Sequence, residues 1–176
     1  IDPDYPHILR KFGAQLHALR DRNPDTHCLV LSCHPAKPDG GLPFTYLTGL
    51  DRPAMYAAAA NLAEDLLPDV IYFRYPFFDE NTARFVERHA NVVFEHHTIE
   101  EEEFSPDRAR QEKLWAGEVL KNTLAVVGVT NEILRYEQGR SPRPLPGIAL
   151  GNGVDPADFP LLPRPAFEQT LHIAMA

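Results

Sequence analysis

Residues 148–155 read Ile-Ala-Leu-Gly-Asn-Gly-Val-Asp, so a short apolar segment runs directly into an Asn-Gly pair. Asn-Gly favours positive φ angles and therefore a tight turn. The prolines that follow, at positions 156, 160, 163 and 165, exclude a paired strand until a second apolar segment begins at residue 171. This pattern predicts a boundary between two domains. We expect a first domain over residues 1–155, a proline-rich linker over 156–169, and the first strand of a truncated second domain over 170–176.

Before this boundary, predicted helices and strands alternate along the chain. The strand-like segments are nearly continuous apolar runs, which is typical of strands buried on both faces of a parallel sheet. Helices are predicted over 6–22, 53–67, 81–89 and 107–121, and a further helix is expected to be capped by Thr130 and to run to Tyr136. Strands are predicted over 26–33, 43–47, 69–74, 91–95, 124–129 and 148–150. The sequence therefore predicts an α/β fold: a Rossmann-like, doubly wound, mostly parallel sheet with helices on both faces.

Composition narrows the class of protein. The chain has 44% hydrophobic and 24% charged residues, as ordinary globular proteins do, and no apolar run long enough to span a bilayer. Its net charge of −8 argues against nucleic-acid binding, which needs a basic surface. Cys28 and Cys33 fall on opposite faces of one predicted strand, which favours reduced thiols in a cytoplasmic protein. The basic residues of the predicted helix over 6–22 indicate a solvated face, with peripheral membrane contact as an open alternative.

Polar residues follow several predicted strands at the point where each strand ends. In parallel α/β sheets, ligands bind at the carboxyl ends of the strands. That rule selects the following candidate cleft residues: Glu95, His96, His97, Thr98, Tyr75, Thr130, Asn131, Asn152, Gly153 and Asp155.

His96 and His97 are the candidates with the most versatile chemistry. Adjacent residues at a strand end point in opposite directions, so one of the two is expected to face a cleft. A histidine there can hydrogen-bond a phosphate or a hydroxyl, or act as a base. The alternative is that both are ordinary solvated loop histidines.

Other kinds of site find less support. A metal site built from His96, His97 and the glutamates at 100–103 is disfavoured because their spacing matches no zinc pattern, and no cofactor is predicted. The sequence has neither a glycine-rich phosphate loop nor a nucleophile elbow, so covalent catalysis is unsupported. The aromatic residues of the third predicted strand and its loop are expected in the hydrophobic core rather than in a sugar-stacking wall. They are Tyr72, Phe73, Tyr75, Phe77 and Phe78.

Taken in order, residues 11–19, 68–72, 92–97, 124–130 and 148–159 carry a family resemblance. They resemble the N-terminal domain of retaining, GT-B-type glycosyltransferases that use nucleotide-sugars, the glycosyltransferase family 4-like group (sucrose- and glycogen-synthase-like enzymes and mannosyltransferases). The most specific part of the resemblance is Asn152-Gly153-Val154-Asp155 followed by Phe159. The strand that ends in Phe94-Glu95-His96-His97 and the strand that ends in Val129-Thr130 support it.

The resemblance implies a two-lobed hexosyltransferase with the reaction in the cleft between its lobes. This chain would be the acceptor-side lobe, and the nucleotide-sugar donor would bind mainly to a second lobe beyond Ala176. His97 best matches the family histidine that contacts the transferred sugar or the donor phosphate, with His96 as the fallback. Asn152, Gly153 and Asp155 would border the hinge. The acceptor would be a saccharide or a small polar molecule, and no metal is implied.

The resemblance also implies that parts of the enzyme lie outside this sequence. The first strand of the sheet and its glycine-rich loop are expected upstream of Ile1, and the donor-binding domain is expected beyond Ala176. The 176-residue chain alone should therefore lack transferase activity. Two other functions stay open. One is a non-catalytic α/β binding module, since fold does not fix function. The other is a GT-B-type nucleotide-sugar epimerase that would use Glu95 and Glu132.

Overall fold

The computed structural model describes residues 13, 15–26, 29–31, 45–74, 77–99 and 105–151. Residues 15–20 are helical. The labelled elements that follow are β1 (Leu29–Leu31), β2 (Thr45–Leu47), α1 (Arg52–Leu66), β3 (Ile71–Arg74), α2 (Glu80–Arg88), β4 (Val92–His96), α3 (Pro106–Asn122), β5 (Ala125–Gly128), α4 (Asn131–Arg140) and β6 (Gly147–Ala149). The Asn152-Gly153 turn, the linker over 156–169, the segment 170–176 and both cysteines lie outside the described residues.

The strands form parallel pairs. β1 pairs with β2, while β3, β4, β5 and β6 form a second sheet in that order, with every neighbouring pair parallel. Each strand of the larger sheet is joined to the next by one helix, and the last link, from β5 through α4 to β6, also includes a short loop with Pro142. The prediction of an α/β fold with a parallel sheet is therefore confirmed.

The helices α1–α4 lie on one face of the larger sheet, which we call the helix-covered face, and helical cover of the other face, as in a doubly wound sheet, stays a prediction. Right-handed crossovers between strands in sequential order place their helices on the same side. Phe94 of β4 shares a buried core with Phe85 of α2 and Val119 of α3, and Leu134 of α4 packs against that core. On α1, the ring of Tyr56 stacks on Phe73 of β3 at 6.1 Å. The sheet's other face is called the opposite face below.

Helix ends follow local sequence signals. Asp51, Asp79 and Thr130 each accept a hydrogen bond from a backbone N–H in the first turn of α1, α2 and α4. The predicted Thr130 cap is therefore confirmed. The prediction that α4 ends at Tyr136 was wrong, because the helix continues to Arg140 and ends just before Pro142, a residue that disfavours helical backbone before it. None of the helices in the described ranges combines the length and apolar character that crossing a bilayer requires.

Candidate functional site

The strand register aligns the carboxyl ends of the sheet along one rim. Arg74 of β3 pairs with Glu95 of β4, and His96 lies level with Gly128 of β5, which in turn lies level with Ala149 of β6. The residues that come next in the chain, including His97 and Thr130, therefore leave the sheet at the same rim. This rim is where a parallel α/β sheet binds its ligands.

Four side chains meet near this rim on the opposite face, and we call them the Glu95 cluster: Tyr72, Arg74, Glu95 and His97. The hydroxyl of Tyr72 donates to Glu95 Oε2 at 2.5 Å, and His97 Nε2 lies 2.5 Å from Glu95 Oε1. Arg74 Nε lies 3.0 Å from His97 Nε2 and 3.6 Å from Glu95 Oε1. The carboxylate thus receives two hydrogen-bonding partners and a guanidinium.

The position of this cluster follows from strand alternation. Side chains of neighbouring strand residues point to opposite faces, so Glu95 and its neighbour Phe94 separate. Phe94 enters the core beneath the helices, while Glu95 faces away from them. Arg74 stands level with Glu95, and Tyr72 lies two residues earlier on the same face, from where its hydroxyl reaches diagonally across to the carboxylate.

The electrostatics of the cluster keep Glu95 ionised. Burial raises the pKa of this carboxyl, but hydrogen bonds from His97 and Tyr72 and the charges of His97 and Arg74 outweigh burial and lower the pKa to about 2. Burial and the hydrogen bond to Glu95 raise the pKa of the Tyr72 phenol, so it stays protonated as a donor. Burial lowers the pKa of Arg74, against the opposing attraction of Glu95, yet a guanidinium stays charged in proteins. The cluster therefore combines a fixed anion with a fixed cation.

His96 belongs to a different environment. It is buried on the helix-covered face, with its ring 5.1 Å from that of Phe78 and its Nδ1 3.3 Å from Glu137 Oε1. The expectation that the two histidines point in opposite directions is confirmed. The alternative that both are solvated loop residues is wrong, because the His96 side chain is 1% exposed and that of His97 is 14% exposed.

The other predicted residues are only partly brought together. Thr98 follows His97 directly and is half-buried. Thr130 lies at the same rim, but its hydroxyl is engaged in accepting from the N–H of Ile133 at 3.2 Å, and the neighbouring Asn131 is exposed. Tyr75, Asn152, Gly153 and Asp155 lie outside the described residues.

The aromatic residues divide between core and surface. Phe73 and Phe78 pack in or against the core, as expected. The prediction that Tyr72 lies in the core was wrong: its side chain leaves the sheet on the opposite face and the residue is 50% exposed. Phe77, half-buried after β3, has two guanidiniums near its ring, with Arg52 at 5.4 Å and Arg108 at 4.7 Å from the ring centre.

Tyr72 and Arg74 are the site residues that the sequence analysis missed. An arginine at the end of an otherwise apolar strand was the available signal. To identify this arginine as a site residue, one would have had to know that β3 pairs with β4, and the sequence alone does not reveal that pairing.

The Glu95 cluster can hold a histidine in a fixed orientation beside a permanent positive charge. Such an arrangement suits hydrogen bonding to a polar ligand that carries hydroxyls or negative charge. Among the described residues there is no group of three or more histidine, cysteine, aspartate or glutamate side chains that could hold a metal ion.

The fold and the site define this chain as an α/β protein with a parallel sheet and a polar cluster at the carboxyl ends of its strands. Comparison with known protein families, with characterised proteins and with solved structures found no match to this chain.

Proposed function

We propose that this chain forms the acceptor-side lobe of a retaining, GT-B-type glycosyltransferase, with a doubly wound sheet and His97 facing the cleft between the lobes. The enzyme would transfer a hexose from a nucleotide-sugar to a saccharide or small polar acceptor in the cytoplasm. One observation carries the proposal: the histidine that follows β4 contacts a buried carboxylate at the rim where parallel sheets bind ligands.

The cluster provides what this chemistry requires. Retaining transfer through an oxocarbenium-like sugar depends on positioned hydrogen bonds and on stabilising the departing diphosphate, and it needs no covalent nucleophile from this lobe. His97 offers a positioned hydrogen bond and Arg74 a permanent cation. His96 cannot take the same part because Phe78 and Glu137 enclose it on the other side of the sheet. The donor would bind mainly to a second lobe, joined through the segment that contains Asn152, Gly153 and Asp155.

The same geometry makes the epimerase alternative weaker. Epimerisation by acid–base chemistry needs a group that exchanges protons near neutral pH. Glu95, whose pKa is about 2, stays ionised and is engaged by Tyr72 and His97. Glu132 is exposed in the first turn of α4. Glu95 therefore lacks the environment of a proton shuttle, and Glu132 is not part of the Glu95 cluster.

The test is a transfer assay on the full-length protein that contains this chain. UDP- and GDP-hexoses are supplied with a panel of saccharide acceptors, the released nucleoside diphosphate is measured, and the product's anomeric configuration is read by NMR. We expect transfer with retention, and a loss of roughly 100-fold or more in kcat for His97→Ala, because a positioned transition-state contact is removed. His17→Ala, at an exposed residue of the 15–20 helix, is the matched control and should leave kcat unchanged.

Three outcomes would overturn the proposal. Interconversion of a nucleotide-sugar without any acceptor would establish an epimerase. Binding of sugars or nucleotides without turnover would establish a binding module. Transfer that His97→Ala leaves intact would remove His97 from the cleft. The 176-residue chain alone is expected to transfer no sugar.

A further inference from the structure

The Nε2 atom of His97 has two close neighbours, one of which requires a hydrogen-bond donor there and the other an acceptor. Glu95 Oε1 lies 2.5 Å away and Arg74 Nε lies 3.0 Å away. A ring nitrogen is either an N–H donor or a lone-pair acceptor. Glu95 requires the donor form, whereas the N–H of Arg74 requires the acceptor form. Only one of the two contacts can be a hydrogen bond of Nε2.

The ionisation of the Glu95 carboxylate determines which of these two contacts is a hydrogen bond. A glutamate ordinarily carries no proton near neutral pH, and the Tyr72 hydroxyl and the Arg74 guanidinium both favour the ionised form of Glu95. A hydrogen bond between Oε1 and Nε2 therefore needs the proton on the histidine. The N–H of Arg74, which lies 3.0 Å from Nε2, must then turn away from it, and Glu95 Oε1, 3.6 Å from the same nitrogen, is the nearby atom of opposite charge. The arrangement in which Nε2 accepts from Arg74 would instead bring two acceptors to 2.5 Å.

Tyr72 completes the arrangement from the other side of the carboxylate. Its hydroxyl donates to Glu95 Oε2, the oxygen that His97 does not use. With one donor on each oxygen, rotation of the carboxylate would break both hydrogen bonds. The raised pKa of Tyr72 keeps its hydroxyl protonated under the same conditions.

We propose that Tyr72 and Glu95 are positioning residues that keep a proton on Nε2 of His97 and fix its ring on the opposite face of the sheet. A ligand in the cleft then meets an imidazole whose Nε2 is already engaged by Glu95. The consequence for catalysis rests on the proposed glycosyltransferase function. The arrangement itself does not, and it can be tested without any assay of activity.

The test is NMR on the 176-residue chain labelled with ¹⁵N-histidine, with His97→Gln used to assign the resonance. We expect a directly visible Nε2–H proton of His97 at neutral pH, because a side-chain N–H without such a partner exchanges too fast with water to be seen. In Glu95→Ala this resonance should disappear. In Tyr72→Phe it should persist with exchange faster by about tenfold, as expected when a charged acceptor loses one donor. Tyr136→Phe, on α4, removes a hydroxyl outside the cluster and should change nothing.

The outcomes separate this inference from the proposed function. A proton on Nδ1 in place of Nε2, a visible Nε2–H that survives in Glu95→Ala, or an exchange rate that Tyr72→Phe leaves unchanged would each overturn it. If Glu95→Ala does not fold, Tyr72→Phe, which keeps the ring, carries the test. In a transferase, Tyr72→Phe should also lower kcat more than it raises KM for the donor. The expected NMR results without any sugar transfer would refute the proposed function and leave this inference standing.

Discussion

The carboxylate of Glu112, on α3, accepts a hydrogen bond from the backbone N–H of Phe78 in the loop after β3, and both residues are fully buried. Arg140 of α4 lies 3.4 Å from the other oxygen of Glu112 and 2.6 Å from Glu137. Two buried carboxylates therefore share one guanidinium, whose carbon lies 5.3 Å from the ring centre of Phe78. The contacts among these buried residues connect α3 and α4 to the loop that leads from β3 to α2.

Removing the shared guanidinium should strongly destabilise the fold. Arg140→Met leaves Glu112 and Glu137 buried without their guanidinium, and removing one partner of a buried ion pair typically costs about 3–5 kcal/mol. We expect a loss of that size in the free energy of unfolding, measured with urea. Arg84→Met breaks the exposed pair with Glu80 and should cost less than about 1 kcal/mol. Equal costs for the two variants would contradict the role assigned to Arg140.

The pH dependence of stability should contain a contribution from Glu95. Its pKa falls from 4.5 in the unfolded chain to about 2 in the fold, so folding favours the ionised form. The stabilisation is complete above the unfolded pKa and is lost as the pH falls from about 4.5 toward 2, with a size of about 3 kcal/mol.

Comparison with a neutral variant isolates this contribution. The difference in unfolding free energy between the wild type and Glu95→Gln should shrink as the pH is lowered from about 6 to about 2. Glu64→Gln, at an exposed residue of α1, serves as the control and should show a nearly constant difference. A constant difference for Glu95→Gln as well would show that its carboxylate is not stabilised by folding.

Periodicity in the sequence predicted most of the fold. The bounds predicted for α1, α2 and α3 agree with the structure to within one residue at each end, because each helix is delimited by a local signal such as a cap or a proline. The separation of His96 from His97 was also predictable, since alternation is a property of one strand. Both successes depend only on residues that are neighbours in the chain.

The features that the sequence did not predict depend on residues that are far apart in the chain. Tyr72 and Arg74 join Glu95 only through the register of β3 against β4. The grouping of Glu112 with Arg140 likewise joins residues on two different helices. Hydrophobic periodicity identifies which face of an element is buried, but it carries no information about which polar group meets another there. The sequence therefore predicted the edge of the sheet at which the candidate site lies, but not which side chains contact one another there.

Two helix starts offer a matched test of capping. The hydroxyl of Thr130 accepts from Ile133 N at the start of α4, whereas the side chain of Ser105, at the start of α3, makes no capping hydrogen bond. Thr130→Ala should therefore reduce the free energy of unfolding by about 1 kcal/mol, while Ser105→Ala should cost far less. Thermal and urea unfolding of both variants measure the difference. A larger loss for Ser105→Ala would show that the caps are assigned to the wrong helices.

Gly128 allows α4 to approach the end of β5. A Cβ at this position would lie 2.6 Å from Leu134 N and 2.9 Å from Thr130 O, and both are backbone atoms that cannot rotate away. Gly128→Ala should therefore displace α4 and cost roughly 1–3 kcal/mol, as overpacking does in well-packed cores. At Gly117, within α3, a Cβ would meet no atom of the described residues within 4 Å, so Gly117→Ala should instead stabilise the helix by about 0.5–1 kcal/mol. Opposite signs in urea unfolding are the expected result, and a destabilising Gly117→Ala together with a neutral Gly128→Ala would contradict this packing of α4 on the sheet.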